Sequence, residues 1–132
     1  MNFELSEEHK MIRDAAREFA QELKTGVIER DELAKFPFEF VKQMGELGFM
    51  GIMTPEQYGG AGLDTLAYVL VLEEISKIDA SAAVIVSAHN SLVLWGLNEY
   101  GSEEQKQKYL VPLAKGEKLG AFALSEPEAG SD

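Results

Sequence analysis

Apolar residues recur every three or four positions in the first part of the chain. Ile12, Phe19 and Leu23 belong to this series, and their spacing predicts the buried face of an amphipathic helix. Ser6 stands just before the series, where a serine side chain can accept hydrogen bonds from the free N–H groups of a helix start. The pattern therefore predicts a first helix over residues 7–24.

Two shorter helices are predicted next, after an irregular stretch over residues 27–35. The first of them stops at Gly48, a residue type that favours helix ends, and its apolar face consists of Phe40, Val41, Met44 and Leu47. A loop rich in glycine and proline follows. The second helix begins at Asp64 or Thr65, both good capping residues, and is predicted to bury Leu66, Val69, Leu70, Leu72 and Ile75.

The fourth predicted helix begins at Asp79 or Ser81 and ends near Tyr100. It is apolar on nearly every side, which is typical of a helix buried between others. Ser102 and Gln105 then stand three positions apart as a capping box, which predicts the start of a short fifth helix.

The pattern changes after Gly116. The apolar run Leu119–Leu124 predicts a β-strand, and residues 126–132 are polar and predict a loop. A single strand leaves its backbone groups without hydrogen-bond partners. The predicted fold class is therefore all-α, a five-helix bundle with orthogonal and up-down packing, followed by one C-terminal orphan β-strand.

The composition narrows the class of protein further. The 132 residues carry a net charge of −11 and a pI near 4.6, which argues against nucleic-acid binding because phosphate contacts need basic residues. Cysteine is absent, so disulfides and thiolate metal sites are excluded. No apolar run approaches the ~18 residues of a membrane span, and the acidic N-terminus has no apolar signal region. We therefore expect a cytoplasmic protein that binds neither nucleic acid nor membrane.

Several residues with reactive side chains have ordinary structural interpretations. His9 and His89 have no second ligand at metal-binding spacing, so no metal site is predicted and both are expected to be structural. Glu73 and Glu74 are adjacent on a helix, where side chains point about 100° apart, and a solvated face is predicted rather than an acid–base pair. The glycines of residues 59–62 lack the strand and the lysine of nucleotide-binding loops and predict a helix-connecting turn.

A stripe of small residues on the fourth helix leaves two interpretations open. Its members share one face at helical spacing and are Val84, Ser87, Ala88 and Ser91. Small side chains leave room for the tail of a ligand, and they also allow helices to pack closely. Spacing alone favours helix packing.

A resemblance to the acyl-CoA dehydrogenases is carried above all by the tail of the chain, GAFALSEPEAGSD. Two further segments extend it: FELSEEHKMIRDAAREFA resembles the family's opening helix, and MGELGFMGIMTPEQYGGAGLD resembles its second helix and glycine loop. The resemblance is strongest to short-chain, butyryl-CoA-like members. It implies an N-terminal helical domain over residues 1–116 and, over residues 117–132, the first strand and loop of a truncated middle β domain.

The resemblance also implies an activity. Family members remove hydrogen from the α and β carbons of acyl-CoA thioesters in fatty acid β-oxidation, with FAD as cofactor and an electron-transfer flavoprotein as electron acceptor. They are usually homotetramers, and their catalytic base is a glutamate in a C-terminal bundle. No residue of this chain matches that base, so no catalytic residue is assigned and the chain alone is expected to be inactive.

The family's binding residues carry over position by position. The resemblance implies cofactor contacts at Phe122, Leu124, Ser125 and Ser131. Ser131 is also implied to contact the pantetheine arm of the substrate. The stripe of Val84, Ser87, Ala88 and Ser91 falls at the floor of the family's acyl pocket, so the resemblance makes substrate contact as favoured there as helix packing.

Alternatives stay open at this point. The same fold serves acyl-CoA oxidases and related flavin monooxygenases, which differ from dehydrogenases in how the reduced flavin is shielded from oxygen. A non-enzymatic helical interaction module would bind no flavin, but it has no use for the run Leu119–Leu124. The partner flavoprotein has a candidate docking surface at Ile12, Phe49 and Leu63, although core packing is the favoured interpretation for each of them.

Overall fold

The computed structural model describes residues 4–131, and within that range the chain is helical, with no β-strand. Its helices are α1 (Glu7–Leu23), α2 (Val27–Glu32), α3 (Phe38–Glu46), α4 (Thr65–Ser76), α5 (Ala80–Tyr100) and α6 (103–114). The last two each contain a π-helical segment, Ala88–Leu94 in α5 and Lys106–Leu110 in α6. A largely irregular tail over residues 117–131 follows α6.

The main core lies between α1 and α4 and extends to α3, α5 and the loop before α4. Phe19 packs edge-on against Phe40 and Phe49, with ring centroids 6.2 and 5.9 Å apart. Around these rings the fully buried side chains include Leu23, Met44, Met50, Ile52, Val71, Ile75 and Val86. Burial of each large apolar side chain stabilises the fold by roughly 1.5–3 kcal/mol, so this cluster holds the helices together.

The N-termini of α1 and α4 are capped and joined to each other. Ser6 accepts the N–H of His9, and Asp64 accepts the N–H of Ala67. His9 spans both caps, because its Nδ1 lies 2.7 Å from Ser6 Oγ and its Nε2 lies 2.9 Å from an Asp64 oxygen. His9 thus has the structural role that the sequence predicts.

Glu74 is buried in the α1–α4 interface, and the solvated face predicted for it is wrong. Its carboxylate accepts two hydrogen bonds from the Arg17 guanidinium, at 3.1 and 3.0 Å, and one from Lys77 at 3.0 Å. The hydrogen bonds from Arg17 are the main cause that lowers the pKa of Glu74 to about 2. Glu73 is exposed as predicted and pairs with Lys77. A buried carboxylate is tolerated here because these cations replace its lost hydration.

Residues 27–32 form α2, although their pattern predicts an irregular stretch. Gly26 supplies the left-handed turn between α1 and α2, at φ 73°. Arg30 then holds α2 in place, because its guanidinium donates to two carbonyls at the end of α1 and to Asp79 at the start of α5. These partners are distant in sequence, so periodicity within the segment does not reveal them.

On two helices, some of the residues that the sequence predicts to be buried are exposed in the structure. Helix α4 buries Ala67, Tyr68 and Val71, whereas Leu66 and Val69 are exposed. Because α4 is apolar on most of its surface, its sequence does not select one face. Leu47, predicted to be buried with α3, follows the end of that helix and is also exposed.

Helix α5 packs along one side of the bundle and is anchored there by a buried polar residue. Asn90 accepts the Ile52 N–H at 3.0 Å and donates to the Phe49 and Val86 carbonyls at 2.9 and 3.0 Å. By length and composition α5 could cross a membrane, with a mean hydropathy of 1.4 over 18 residues, although no uninterrupted apolar run in the sequence predicts a span. The core helix of a globular bundle has the same composition, and the Asn90 contacts are those of such a helix.

Close backbone contacts hold the C-terminal end of α6 against α3 and against the loop that precedes α4. A Cβ at Gly51 would lie 2.5 Å from the Ala114 carbonyl oxygen, and a Cβ at Gly45 would lie 3.1 Å from the Cα of Gly116. The capping box predicted at the start of α6 is present. A second core cluster forms beneath α6 from Tyr58, Leu94, Leu110 and Ala114.

The β-strand predicted over Leu119–Leu124 is not formed in the part of the chain that the structure describes. Beyond Lys118, backbone pairing among the described tail residues is limited to Glu126 and Ala129, whose N–H groups each donate to the other residue's carbonyl, at 2.9 and 3.2 Å. A strand needs a neighbour to complete its hydrogen bonds, and no other segment lies alongside. The division at residue 116 stays a prediction.

Candidate functional site

The residues predicted to line an acyl pocket lie on the outer side of α5. They are Val84, Ser87, Ala88 and Ser91. Val84 is 64% exposed, and the three small residues are half-buried. Leu92 and Trp95 are also exposed on this helix, so α5 is not buried all round as predicted. We call this surface the α5 strip, defined by the four predicted residues and these two neighbours.

The two serines of the α5 strip have hydrogen-bond partners within the protein. Tyr68 of α4 donates its hydroxyl to Ser87 Oγ at 3.1 Å, and Ser91 Oγ donates to the Ser87 carbonyl at 2.8 Å. Ser87 therefore contributes to packing between α4 and α5. Val84 and Ala88 have purely apolar side chains and are available for contact with an apolar ligand.

The residues predicted to contact a flavin lie on the tail. Phe122 and Leu124 are 54% and 72% exposed, and Ser125 and Ser131 are exposed as well. Within the described residues, no backbone–backbone hydrogen bond involves residues 121–125. Free peptide groups beside apolar side chains suit the edge and face of a planar heterocycle, which carries both hydrogen-bonding atoms and an apolar ring.

One hydrogen bond brings the tail to the α5 strip. The Gly120 N–H donates to His89 Nδ1 at 3.0 Å, and His89 Nε2 lies 3.0 Å from the Leu113 carbonyl. Because Nδ1 accepts, the ring proton is on Nε2 and donates to Leu113. Burial lowers the pKa of His89, which favours the neutral ring that these bonds require. Neighbouring helix residues point about 100° apart, so the tail meets α5 at His89 and Val93, on the face next to the strip.

The charges of the tail suit a ring system better than a diphosphate. Glu126 and Glu128 are exposed beside the predicted flavin residues, and carboxylates at that distance repel phosphate groups. Asp132, the last residue of the motif that carries the family resemblance, lies outside the described residues. The peptide groups of residues 121–125 therefore fit a flavin ring, and the phosphates of FAD and CoA need cations from elsewhere.

Two cavities in the described part of the chain lie next to α2 and apart from the tail. Their volumes are about 390 and 670 Å³, and both are lined by Arg30, Lys35, Phe36 and Pro37. The room for a ligand tail that the small residues of α5 suggest is not an enclosed cavity. Helices α4 and α5 pack directly through Tyr68 and Ser87, which leaves the α5 strip as an open surface.

Residues 6–117 match the family described as "Acyl-CoA dehydrogenase, N-terminal domain". The chain belongs to the acyl-CoA dehydrogenase family. The match covers all six helices, and the all-α fold predicted from the sequence is confirmed. It ends before Gly120, so the predicted flavin residues lie beyond it.

Individual acyl-CoA dehydrogenases are similar to the chain along its length. The short-chain specific acyl-CoA dehydrogenase of Clostridium acetobutylicum is 53% identical over 100% of this chain and 35% of its own length. An acyl-CoA dehydrogenase from Bacillus anthracis, solved in complex with FAD, is 40% identical with a TM-score of 0.84 over 98% of this chain and 23% of its own.

A further structure, described as the electron-transferring flavoprotein of Acidaminococcus fermentans, contains a chain that is 47% identical with a TM-score of 0.94. The match covers 99% of this chain and 35% of the flavoprotein structure's chain. The chain thus spans about a third of the length of the curated relative from Clostridium.

The candidate surface for a partner flavoprotein is only partly present. Phe49 is fully buried in the core, so core packing, the favoured interpretation, holds for it and docking does not. Ile12 and Leu63 are half-buried and pack against the same core, and their contact with a partner stays a prediction.

The two residues that organise this site were not singled out as such by sequence reasoning. The sequence predicts a structural role for His89 but not its contact with the tail, and it predicts no role for Asn90. It does carry one signal, because the two are adjacent polar residues in a mostly apolar helix. Buried polar side chains are almost always hydrogen-bonded, so such a pair indicates that other segments meet the helix at that point.

Proposed function

We propose that the chain serves as the N-terminal domain of a flavin-dependent dehydrogenase that acts on short-chain acyl-CoA thioesters. One observation carries the proposal: the Gly120–His89 hydrogen bond holds the start of the tail beside the α5 strip, in a chain that belongs to this family. Similarity over the whole chain to a short-chain specific dehydrogenase supports the substrate class.

The α5 strip is the proposed contact surface for the acyl group. Val84 and Ala88 provide apolar contact, and Ser87 and Ser91 keep the neighbouring surface small. Burial of each methylene contributes about 0.8 kcal/mol, so a short acyl chain gains little from the strip alone. Most of the affinity for the thioester must come from its CoA portion, including a contact of its pantetheine arm with Ser131.

The tail is the proposed contact for FAD. Phe122 and Leu124 pack on the ring system, the free peptide groups of residues 121–125 bind its edge, and the hydroxyls of Ser125 and Ser131 add hydrogen bonds. Similarity to an acyl-CoA dehydrogenase solved with FAD supports this assignment. When bound, FAD supplies the acceptor for the hydride that leaves the β carbon of the substrate.

Other parts of the reaction are assigned outside this chain. We assign no catalytic base to its residues, and we propose that the base, the cations for the phosphates and the subunit contacts of a homotetramer belong to the rest of such an enzyme. An electron-transfer flavoprotein is the proposed electron acceptor, supported by the similarity to a chain in the structure of one from Acidaminococcus. We propose a cytoplasmic location.

A hybrid enzyme tests the proposal. In this hybrid, the 132 residues replace the aligned residues of the Clostridium acetobutylicum dehydrogenase. We expect a yellow protein that retains FAD through purification and oxidises short-chain acyl-CoA with an electron-transfer flavoprotein. A folded, colourless hybrid would refute the proposal, and rapid reoxidation of the reduced flavin by oxygen would indicate an oxidase instead.

A matched pair of substitutions tests the assignment of the α5 strip. Ala88→Leu places a large side chain within the strip, whereas Ala80→Leu makes the same change at the exposed first turn of α5. We expect Ala88→Leu to raise the KM for butyryl-CoA at least fivefold and to shift preference toward shorter acyl groups. Ala80→Leu should leave both unchanged. Equal effects of the two variants would remove the strip from the substrate site.

A further inference from the structure

We infer that His89 is a positioning residue that fixes the segment of residues 121–125 against α5, so that the groups that contact the flavin and those that contact the acyl chain are held in one arrangement. The inference rests on the proposed function for what these two surfaces bind. The arrangement itself rests on contacts within the described chain.

Both nitrogens of the His89 ring are used, and they connect three elements. Nδ1 accepts the Gly120 N–H of the tail, and Nε2–H donates to the Leu113 carbonyl near the end of α6, each at 3.0 Å. The ring itself stands on α5 and is fully buried. It cannot shift toward one partner without lengthening its bond to the other, so it sets the distance of the tail from both helices.

Gly120 allows the close approach that this bond requires. A Cβ at this position would lie 2.7 Å from Val93 Cγ1 and 3.1 Å from Val93 Cβ. Valine is stiff at χ1 because two groups branch from its Cβ, so it cannot rotate away at low cost. The tail therefore passes directly over α5 at Gly120, on the π-helical segment Ala88–Leu94. Such segments are frequent at functional sites.

Anchors on either side of residues 121–125 are few. Upstream, the Glu117 and Lys118 N–H groups donate to the Pro112 carbonyl at 3.0 and 3.3 Å, and downstream the next backbone pair is the one between Glu126 and Ala129. Between Lys118 and Glu126, within the described residues, the backbone hydrogen bond is the one that Gly120 donates to His89. Loss of this single hydrogen bond would leave the position of Phe122 and Leu124 poorly defined.

The hydrogen bond can be tested first in the unaltered 132-residue chain. Labelling with ¹⁵N allows detection of scalar coupling across the bond between the Gly120 amide nitrogen and His89 Nδ1. We expect that coupling, together with a proton on Nε2. A ring protonated at Nδ1, or no coupling in a folded chain, would overturn the inference without any substitution.

Two isosteric variants then separate the bonds of the ring. An asparagine places its carbonyl oxygen near Nδ1, so His89→Asn keeps the acceptor for Gly120 and loses the bond to Leu113. A glutamine places its amide nitrogen near Nε2, so His89→Gln keeps the bond to Leu113 and loses the acceptor for Gly120. We expect the Gly120 amide to exchange with solvent about tenfold faster in His89→Gln than in His89→Asn, from the loss of one hydrogen bond.

The hybrid enzyme shows whether this difference matters for function. We expect His89→Gln to alter the flavin absorption spectrum and to lower kcat about tenfold with a small change in KM, and His89→Asn to restore both. If the unsubstituted hybrid binds no FAD, the proposed function has failed. If it is active and the two variants match each other in spectrum and kcat, the positioning role has failed while the function stands.

Discussion

At the scale of single residues, buried polar side chains connect segments that are far apart in the sequence. Glu74 reaches Arg17 across 57 positions, and Asn90 reaches Ile52 across 38. Caps are different, because the partner of Ser6 is three positions away. The caps could therefore be predicted from the sequence, whereas the partners of Glu74 and Asn90 become visible only when the helices are packed.

Glu74 should make the domain sensitive to acid. Its pKa is about 2 in the folded chain and 4.5 ordinarily, so the folded state binds fewer protons. Its stabilisation is complete above pH 4.5 and is lost as pH falls from 4.5 toward 2. We expect Glu74→Gln to lower the free energy of unfolding by about 1–2 kcal/mol at pH 7, allowing for the exposure of Arg17, as measured by urea denaturation.

The adjacent glutamate is the control for this prediction. Glu73 is exposed and pairs with Lys77 on the surface, so Glu73→Gln should change stability by less than about 0.5 kcal/mol. The difference between wild type and Glu74→Gln should shrink as the pH falls through the range below 4.5. A difference that stays constant between pH 7 and pH 3 would show that the carboxylate charge is not the cause.

Asn90 should contribute strongly to stability because its buried side chain joins α5 to the loop before α4. Asn90→Ala leaves the Ile52 N–H and two carbonyls without their partner in the core, and we expect a loss of about 2–4 kcal/mol, since each unsatisfied buried group costs about 1–3 kcal/mol. Thermal and urea unfolding measure it. Asn98→Ala removes one 3.4 Å contact with Glu99 and should be nearly neutral; equal losses would contradict the anchoring role of Asn90.

At the scale of elements, most of the correct predictions come from the spacing of apolar and capping residues along the chain. The first helix, the capping box of α6 and the stop at Gly48 follow from local spacing and agree with the structure. The helix α2 does not, because its stability comes from the contacts of Arg30 with α1 and Asp79. The strand over Leu119–Leu124 has the right pattern but no neighbour to pair with, and pattern alone cannot supply one.

The contact between α6 and the loop before α4 should tolerate no side chain at Gly51. A Cβ there would lie 2.5 Å from the backbone oxygen of Ala114, and backbone cannot rotate aside as a side chain can. We expect Gly51→Ala to destabilise the chain by about 1–3 kcal/mol, the usual cost of overpacking. Chemical denaturation with circular dichroism detection is a suitable measurement.

Gly96 provides the opposite case within α5. A Cβ at Gly96 would meet nothing within 4 Å, and alanine inside a helix is favoured over glycine by roughly 0.5–1 kcal/mol. Gly96→Ala should therefore stabilise the chain by about that amount. If both glycine variants changed stability in the same direction, the contact at Gly51 would not be the cause of its effect.

At the scale of the whole molecule, the middle of the chain is strongly acidic, and two of its surfaces are apolar. Nine acidic residues and one lysine lie between Glu46 and Glu104, while the α5 strip and the tail expose apolar side chains. Resemblance along the chain identified the family, and that identification is confirmed by the match over residues 6–117. The contact that joins the two predicted surfaces, His89 with Gly120, depends on packing and could not be read from spacing.

The isolated chain should lack activity of its own, because no catalytic base is assigned to it. We expect the purified 132-residue protein to show no oxidation of butyryl-CoA with an artificial electron acceptor, even with FAD added in excess. The hybrid enzyme, assayed in parallel, serves as the positive control. Turnover by the isolated chain above the rate with FAD alone would mean that a base within it had been overlooked.

The central claim is that this domain helps to hold a flavin that accepts electrons from a short-chain acyl-CoA. Anaerobic addition of butyryl-CoA to the hybrid enzyme, followed by visible spectroscopy, tests it most directly. The account predicts a flavin absorption band that bleaches on addition of the thioester and returns when an electron-transfer flavoprotein is added. A bound flavin whose spectrum does not change with butyryl-CoA would contradict it.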